Sequence, residues 1–199
     1  MSATDQGGRV PPDGHPDRLR WNARYASGFS PSFRPHPLAI QALDMDLPDG
    51  PVADLACGAS GSALLAAARG RVVTAVDISE LALAMLSDEA RRRGLQRLIT
   101  EVHTDLAVWS APPCSYALVL CTGWWDRAVF GAAAGAVARG GLLGWEAFTA
   151  EARQARADLA PDWCLASGEP ASLLTADFAV LDQRDLPDRG RRRFLARRQ

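Results

Sequence analysis

A glycine-rich turn and one aspartate are the residues of this sequence best suited to chemistry. Gly58 and Gly61 follow a short apolar run, Val52 to Ala56, and Asp77 stands nineteen positions after Gly58 at the end of a second apolar run. Glycine lets the backbone turn sharply and approach a ligand that a Cβ atom would obstruct. An ionised aspartate accepts hydrogen bonds from two neighbouring ribose hydroxyls. The pattern predicts a nucleoside-cofactor site; a plain turn with Asp77 as a helix cap is the alternative.

The turn itself narrows the identity of that cofactor. A dinucleotide site uses Gly-x-Gly-x-x-Gly, and a phosphate-binding loop ends in Lys followed by Ser or Thr. The residues from Asp54 to Gly61 fit neither pattern, and the chain contains no lysine. They resemble instead the first motif of the class I S-adenosylmethionine-dependent methyltransferases, and Val76-Asp77-Ile78-Ser79 resembles the second motif. The resemblance implies S-adenosylmethionine as the cofactor.

The resemblance to this family extends along most of the chain. Thr104-Asp105-Leu106 is similar to the step that binds adenine, and Tyr116 to Cys121 is similar to the fourth strand, whose end faces the methionine part of the cofactor. The segments that resemble the small tellurite-resistance-type branch are Arg20 to Tyr25, Arg139 to Phe148 and Trp163 to Leu174. The residues that the resemblance assigns to cofactor binding are Asp54, Ala56, Gly58, Ser60, Gly61, Asp77, Ile78, Asp105, Leu106 and Cys121.

Alternating strands and helices are expected to position these residues. From Val52 onward, apolar runs of four to seven residues alternate with helical patterns, which indicates βα units with right-handed crossovers. The turn from Leu186 to Gly190 is too short for a helical crossover, so the last two strands are predicted to form an antiparallel hairpin. We predict an α/β, Rossmann-like methyltransferase sheet of five parallel strands plus this C-terminal hairpin, seven strands in all, with helices on both faces. The predicted helices are 62–69, 79–93, 126–138 and 170–176.

The chain is expected to divide into three segments. Residues 1–18 are polar and rich in Gly and Pro, which predicts disorder. Residues 19–50 mix aromatic residues with prolines and predict a short helix, an aromatic loop and a second helix. Such a segment commonly folds over a cofactor as a lid, so Tyr25 and Arg24 are candidates to contact the cofactor carboxylate; an amphipathic helix docked on the domain is the alternative. Residues 51–199 are predicted to form the cofactor-binding domain.

Four residues are candidates for catalysis or for contact with a methyl acceptor. Glu146 ends the fifth predicted strand, where it either lines the acceptor pocket or is a solvated strand-end charge. His36 lies between two prolines and is either catalytic or an ordinary loop histidine. Trp124 and Trp125 follow the fourth strand and form an apolar wall or a face for a cation, although at least one is expected to pack in the core. The residues for which a structural role is favoured are His103, Asp126 as a helix cap, and Glu169.

The composition excludes several other classes of protein. The chain of 199 residues is 48% hydrophobic and carries 22 basic against 23 acidic residues, so we expect one domain without a field that attracts nucleic acid or membrane. The four cysteines lack metal-ligand spacing, and no metal is expected. The lack of a signal-peptide pattern or long apolar stretch predicts a cytoplasmic protein. The arginines from Arg189 to Arg198 indicate a phosphate contact or, preferably, the exposed charge of an edge strand.

The pattern as a whole predicts methyl transfer to a small-molecule acceptor by in-line displacement. Alignment and exclusion of water supply much of the acceleration, and a base is needed only if the acceptor arrives protonated. Nucleic acid is not expected as the acceptor, because Cys121-Thr122-Gly123-Trp124 stands where nucleic-acid amino-methyltransferases have Asn/Asp-Pro-Pro-Tyr. One alternative is an S-adenosylmethionine-binding protein on the same fold that transfers no methyl group. The other, a nicotinamide-dependent reductase, is disfavoured by the glycine spacing and the terminal hairpin.

Overall fold

The computed structural model describes residues 13–199, in which helices and strands alternate from the first parallel strand to the fifth. The α-helices are α1 (Pro16–Ala26), α2 (Pro37–Leu43), α3 (Gly61–Ala68), α4 (Glu80–Arg92) and α5 (Arg127–Ala136). The strands are β1 (Val52–Leu55), β2 (Val73–Asp77), β3 (Ile99–His103), β4 (Tyr116–Thr122), β5 (Val137–Thr149), β6 (Cys164–Leu165), β7 (Phe178–Leu186) and β8 (Arg191–Arg198). Among the described helices, none combines the length and apolar character that a bilayer crossing requires.

The strands form one sheet in the order β3-β2-β1-β4-β5-β8-β7, and the two-residue β6 pairs with the end of β5. Strands β1 to β5 are parallel, whereas β8 runs antiparallel to both β5 and β7. The predicted fold class is therefore confirmed. Because β1 lies between β2 and β4, the chain reverses its direction of winding there, which is where open α/β sheets bind ligands.

Two apolar layers cover the sheet. Helices α2, α3 and α4 bury Leu38, Leu64 and Leu86 in one layer. The other layer contains Phe130 of α5 and the indole of Trp145 on β5. The burial of both sheet faces explains why the parallel strands have continuous apolar sequences and do not alternate.

The helices that follow β1, β2 and β4 each begin at a residue that caps them. Ser60 accepts hydrogen bonds from two backbone N–H groups of α3, Ser79 accepts one from α4, and Asp126 accepts one from α5. A side-chain oxygen at this position satisfies N–H groups that have no partner within the helix. The role of Asp126 as a cap thus agrees with the sequence prediction.

The C-terminal hairpin forms at the end of the parallel sheet as predicted, but its arginine-rich strand is not the edge strand. Phe194 of β8 pairs with Trp145 of β5 on one side and with Gln183 of β7 on the other. The interpretation of the arginine-rich tail as an edge strand is therefore wrong, because β8 is internal and β7 forms the edge of the sheet. The arginines of β8 therefore do not share one role, and the role of each depends on its own contacts.

The predicted helix 170–176 is also wrong. Only a short 3-10 turn, Ala171–Leu173, forms there. The backbone N–H of Ala171 donates to Oε1 of Gln183 at 3.1 Å, and Glu169 is held by a two-point hydrogen bond from Arg127. These contacts with β7 and α5 fix the segment in a short turn, although Pro170 is a residue that often begins helices.

The remaining boundaries lie close to the expected ones. Helix α5 ends at Ala136, two residues before the predicted end, and the register of β5 against β4 shifts between the pairs Tyr116–Val137 and Leu118–Leu142. Helix α1 begins at Pro16 and so includes the end of the segment expected to be disordered. The rest of that expectation, residues 1–12, lies outside the described residues.

Candidate active site

A cavity of about 320 Å³ lies at the carboxyl ends of the parallel strands. Its lining comes from residues at or after the ends of β1 to β4, from α1 and the loop that follows it, and from the first residue of β8, Arg191. The predicted site residues that line it are Arg24, Tyr25, Ala56, Gly58, Asp77, Ile78, Asp105, Leu106 and Trp124. Those that lie outside its lining are His36, Asp54, Ser60, Gly61, Cys121, Trp125 and Glu146. The volume is that of a small-molecule site.

Asp77 lies at the tip of β2 with its carboxylate beside the glycine turn. The backbone N–H of Gly58 donates to Oδ2 at 2.7 Å, and the N–H of Ser79 donates to Oδ1 at 2.8 Å. Burial raises the pKa of Asp77, and these two N–H groups oppose that rise. Each carboxylate oxygen retains a second lone pair for a ligand hydroxyl. The arrangement holds Asp77 in one orientation at the cavity wall.

The backbone conformation at position 58 favours glycine, and any side chain there would have to displace the Tyr25 hydroxyl. The φ of Gly58, +59°, lies in the left-handed region, and a Cβ atom there would stand 2.6 Å from the Tyr25 hydroxyl oxygen. Tyr25 belongs to α1, so this helix reaches directly over the turn. Burial, together with the nearby Asp77 carboxylate, raises the pKa of Tyr25, while a hydrogen bond from the Ala59 N–H lowers it. Helix α1 and the glycine turn thus meet at the side chain of Tyr25.

Asp54 and Ser60 support the glycine turn from outside the cavity lining. Ser60 Oγ donates to Oδ2 of Asp54 at 2.5 Å and accepts the N–H groups of Ser62 and Ala63. Asp54 is only 2% exposed, and burial raises its pKa to about 6. The hydroxyl of Ser60 therefore satisfies a buried carboxylate and caps α3 at the same time.

Gly61 allows a close approach of the chain that precedes the first strand. A Cβ atom at Gly61 would lie 2.5 Å from backbone atoms of Phe33 and Arg34. No side chain fits in that gap, because real Cβ contacts are never so short. The structure thus uses Gly61 to pack residues 33–34 against the start of α3.

Asp105 and His103 stand on either side of the end of β3. Asp105 accepts the N–H of Ala107 at 2.9 Å, and its other carboxylate oxygen is 3.3 Å from Nε2 of His15. His103 Nε2 lies 3.1 Å from the carbonyl oxygen of Ile78, to which it donates. This contact ties β3 to the residue after Asp77, in agreement with the structural role favoured for His103.

Polar contacts hold α1 over the cavity. Arg18 donates through Nε and Nη2 to the two carboxylate oxygens of Glu80 at 3.0 and 2.9 Å, and Ser79 Oγ donates to Asn22 Oδ1 at 2.7 Å. The hydrogen bonds from Arg18 lower the pKa of Glu80 to about 2, against a smaller effect of burial. No residue of α1 is buried. The helix is therefore attached to α4 by ion pairs and hydrogen bonds and contributes nothing to the core.

Glu146 is engaged in a buried network outside the cavity lining. Its Oε1 lies 3.2 Å from Nε2 of His36, and its Oε2 accepts from Nε of Arg193 at 2.8 Å. His36 Nδ1 accepts the Leu38 N–H, which places the ring proton on Nε2, directed at Glu146. Burial acts to raise the pKa of Glu146, but His36 and Arg193 together lower it to about 2. The carboxylate is thus fully bound and a weak base.

The two tryptophans after β4 have different environments. Trp124 lines the cavity, whereas Trp125 is buried with its ring centroid 5.4 Å from Phe130 and 6.0 Å from Trp145. The Trp145 Nε1–H donates to the Trp124 carbonyl oxygen at 2.9 Å, and the Cys121 thiol donates to the same oxygen. This carbonyl anchors the loop, so that one indole faces the cavity and the other packs in the core.

Arg191 is a cavity residue that the sequence does not single out. It is one of five arginines on β8, and no spacing or motif separates it from the others. Only the register, which places Arg191 opposite Phe148 at the end of β5, brings it to the cavity. Trp21 and Thr122 also line the cavity without having been assigned a role.

Comparisons with known proteins agree with this geometry. Residues 52–141 match the model of a family described as "Methyltransferase domain". A comparison with curated protein sequences found no match. The solved structures of similar fold include enzymes with different reactions.

Three of these structures illustrate the range of proteins that have a similar fold. Geranyl diphosphate C-methyltransferase from Streptomyces coelicolor A3(2), in complex with Mg2+, geranyl diphosphate and S-adenosyl-L-homocysteine, has a TM-score of 0.66 at 14% identity, covering 96% of this chain and 88% of its own. TehB from Haemophilus influenzae has a TM-score of 0.65 at 15% identity, covering 92% and 67%. The [4+2]-cyclase SpnF has a TM-score of 0.69 at 16% identity, covering 97% and 98%.

The fold predicted from the motifs and the domain found by comparison coincide. The matched segment runs from β1 into β5 and contains the glycine turn, Asp77 and Asp105. Residues 52–141 therefore match a methyltransferase domain, and the chain as a whole has the fold of the solved structures compared above.

Proposed function

We propose that the chain binds S-adenosylmethionine in the 320 Å³ cavity and transfers its methyl group to a small-molecule acceptor. The observation that carries this proposal is the position of Asp77. Its carboxylate is fixed by the N–H groups of Gly58 and Ser79 at the wall of the cavity, where a nucleoside ribose would be bound. The match of residues 52–141 to a methyltransferase domain supports the same cofactor.

The residues around the cavity fit an adenosyl cofactor. Asp77 would hold the ribose hydroxyls, and Asp105 and Leu106 would contact the adenine. Gly58 leaves room beside the Tyr25 hydroxyl for the backbone to approach the amino-acid part, and Arg24 supplies a positive charge at the same wall. We assign the remaining motif residues Asp54, Ser60 and Gly61 to supporting the turn, because they lie outside the lining.

When bound, S-adenosylmethionine supplies an electrophilic methyl group on a sulfonium. The chain contributes orientation and exclusion of water: α1 covers the cofactor side, and Trp124 provides an apolar wall near the end of β4. Burial raises the pKa of the Cys57 thiol well above its ordinary value, so this cavity residue stays neutral and is no competing nucleophile.

The bound state of Glu146 restricts the acceptor. Because His36 and Arg193 occupy both oxygens of Glu146 and keep its pKa near 2, this carboxylate is not available to remove a proton. We infer that Glu146 is not the base of the reaction; an acceptor that arrives as a thiolate, a phenolate, a carboxylate or an oxyanion needs no base.

The proposal is tested by calorimetry followed by a product assay. S-adenosylmethionine and S-adenosylhomocysteine should bind with dissociation constants in the micromolar range, and nicotinamide dinucleotides should not bind. A panel of thiols, phenols, carboxylic acids, amines and tellurite is then incubated with S-adenosylmethionine, and S-adenosylhomocysteine is measured by chromatography. Failure of the cofactor to bind would overturn the proposal.

In the second candidate function, the chain binds S-adenosylmethionine but transfers no methyl group. The similarity in fold to SpnF, a [4+2]-cyclase, shows that this architecture is not confined to methyltransferases, and the engaged Glu146 is consistent with a site that removes no proton. Tight binding of S-adenosylmethionine, with no demethylated product from any member of the panel, favours this candidate. The cytoplasmic location and the exclusion of nucleic acid stay predictions of the sequence.

A further inference from the structure

Arg191 differs from the other arginines of its strand because its guanidinium has no hydrogen-bonding or ionic partner among the described residues. Each of the other four has a hydrogen-bonding acceptor: Arg192 bonds Asp185, Arg193 bonds Glu146, Arg197 bonds the carbonyl oxygen of Gly140, and Arg198 bonds Asp177. Among the contacts of residues 13–199, the guanidinium of Arg191 makes no hydrogen bond and no ion pair. It is also the only one of the five that lines the cavity.

Packing holds this guanidinium in place at the cavity. Its Cζ atom lies 4.1 Å from the ring centroid of Phe148, the residue opposite it on β5. A Cβ atom at Gly123 would lie 3.4 Å from Nη1, so the backbone of the loop after β4 lies close to the guanidinium. A stacked guanidinium presents its N–H groups at its edge, the geometry that binds a carboxylate or phosphate at two points.

The charged groups around Arg191 do not neutralise the positive charge of its guanidinium. Burial lowers its pKa; the carboxylate of Glu146 opposes this, and the positive charges of Arg156 and Arg189 add to it. Glu146 is already bound by His36 and Arg193, and Arg156 is paired with Asp158. Arginine stays protonated under these conditions. A half-buried cation without a partner is costly, and an anion delivered by a ligand would remove that cost.

The strand order places Arg191 on the acceptor side of the cavity. From β2, which carries Asp77, the order runs through β1, β4 and β5 to β8. Neighbouring strands are about 4.8 Å apart, so the start of β8 is roughly 19 Å from the tip of β2 across the sheet. The ribose and adenine residues lie at β2 and β3, and the methionine part is expected near the ends of β1 and β4. Arg191 lies beyond them.

We propose that Arg191 binds an anionic group of the methyl acceptor, a carboxylate or a phosphate, on the β8 side of the cavity. This assignment rests on the proposed function. The anion sits against the guanidinium edge, and the rest of the acceptor lies along Trp124 toward the end of β4. Arg191 is thus a specificity residue that selects and orients a negatively charged acceptor.

The test uses simple anions on the protein saturated with S-adenosylhomocysteine. Benzoate and phenyl phosphate are titrated by calorimetry, with benzamide as the uncharged counterpart of benzoate. At least one anion should bind, more tightly than benzamide, and Arg191→Met should weaken it by about tenfold or more, the loss expected for a charge-assisted hydrogen bond. Which anion binds better distinguishes a carboxylate from a phosphate.

Two further variants make the result specific. Arg97→Met, in the exposed turn between α4 and β3 and outside the cavity lining, should leave anion affinity unchanged. Arg191→Lys keeps the charge but loses the two-point geometry, so it should weaken binding less than Arg191→Met does. It also serves as the folded reference if Arg191→Met proves unstable.

The outcomes separate this assignment from the proposed function. If S-adenosylhomocysteine does not bind the wild-type protein, the proposed function fails, and this assignment fails with it. If S-adenosylhomocysteine binds all variants alike but the anions bind no better than benzamide, or bind the Arg191 variants as they bind the wild type, this assignment alone is overturned. Weaker S-adenosylhomocysteine binding by about tenfold in a folded Arg191 variant would make Arg191 a cofactor residue and also overturn it.

Discussion

At the scale of single residues, the site depends on buried carboxylates that the surrounding backbone and hydroxyls satisfy. Asp54 is the clearest case, because burial raises its pKa to about 6 from an ordinary value of 3.8. The folded protein therefore holds this proton more tightly than the unfolded chain does. The contribution of Asp54 to stability is therefore largest below its unfolded pKa and declines as the pH rises through about 6. The hydroxyl of Ser60 limits that loss by donating to the ionised form.

Replacing Ser60 with alanine should lower the free energy of unfolding more at about pH 8 than at about pH 5. At about pH 5, where Asp54 is largely protonated, the loss is that of a helix cap, about 1 kcal/mol in the free energy of unfolding. At about pH 8 the ionised Asp54 also loses its donor, which adds about 1 to 3 kcal/mol. Urea denaturation of the wild type and Ser60→Ala at both pH values measures the difference.

Ser79→Ala is the matched control for this prediction. Ser79 caps α4, but its hydroxyl donates to the amide oxygen of Asn22 and not to a carboxylate. Its penalty should therefore be the same at both pH values. Equal penalties for Ser60→Ala at the two pH values would show that the hydroxyl does not stabilise ionised Asp54.

Residue by residue, the sequence predicts the cofactor side of the cavity better than the acceptor side. Asp77 and Asp105 follow apolar strands, and local pattern is enough to place them at the sheet edge. The position of Glu146 depends on Arg193 and His36, which lie 47 and 110 residues away in the chain. No local signal reports such contacts, and the same is true of the position of Arg191.

At the scale of elements, the least firmly attached part of the site is α1. It has no buried residue and is joined to α4 through Arg18, Glu80, Asn22 and Ser79. Segments with few apolar contacts open at low free energy. Helix α1 therefore has the properties of a lid that admits and encloses the cofactor.

Glu80→Gln should loosen this lid without disturbing the sheet. The substitution removes the charge that binds Arg18, so backbone amides of α1 should exchange hydrogen several-fold faster while β1 and β2 keep their protection. The affinity for S-adenosylhomocysteine should also fall several-fold, because an ordered α1 supplies part of the cavity wall. Hydrogen exchange followed by mass spectrometry and calorimetry measure both effects.

Asp88→Asn provides a control on the same helix. It breaks an exposed pair between Asp88 and Arg91 that has no contact with α1, so neither exchange in α1 nor cofactor affinity should change. If Glu80→Gln behaves like Asp88→Asn, the ion pair to Arg18 does not hold the lid.

The elements also show where sequence patterns are overridden by tertiary contacts. Helices α3, α4 and α5 were predictable because each combines a capping residue with an apolar face. The segment 170–176 has a proline suited to a helix start, but Arg127 of α5 binds Glu169 just before it and Gln183 of β7 accepts the N–H of Ala171. The internal place of β8 depends on which edge of the hairpin meets β5, and the sequence of the hairpin does not specify that edge.

At the scale of the whole molecule, the alternation of strands and helices determines where chemistry can occur. The reversal of winding at β1 creates a gap at the sheet edge, and α1 covers that gap to give the cavity. One end of the cavity has the carboxylates suited to an adenosyl group, and the other has an indole and an unpaired guanidinium suited to an anionic acceptor. Under the proposed function, the fold would bring the cofactor and the acceptor together in this cavity.

The central claim is that Asp77 binds the ribose of an adenosyl cofactor. Calorimetry with S-adenosylhomocysteine and with an analogue that lacks both ribose hydroxyls, on the wild type and on Asp77→Asn, tests it most directly. The wild type should prefer S-adenosylhomocysteine by about tenfold or more, and Asp77→Asn, with its fold verified by its melting temperature, should lose most of that preference. An equal preference in both proteins, or no binding of S-adenosylhomocysteine to the wild type, would contradict the account.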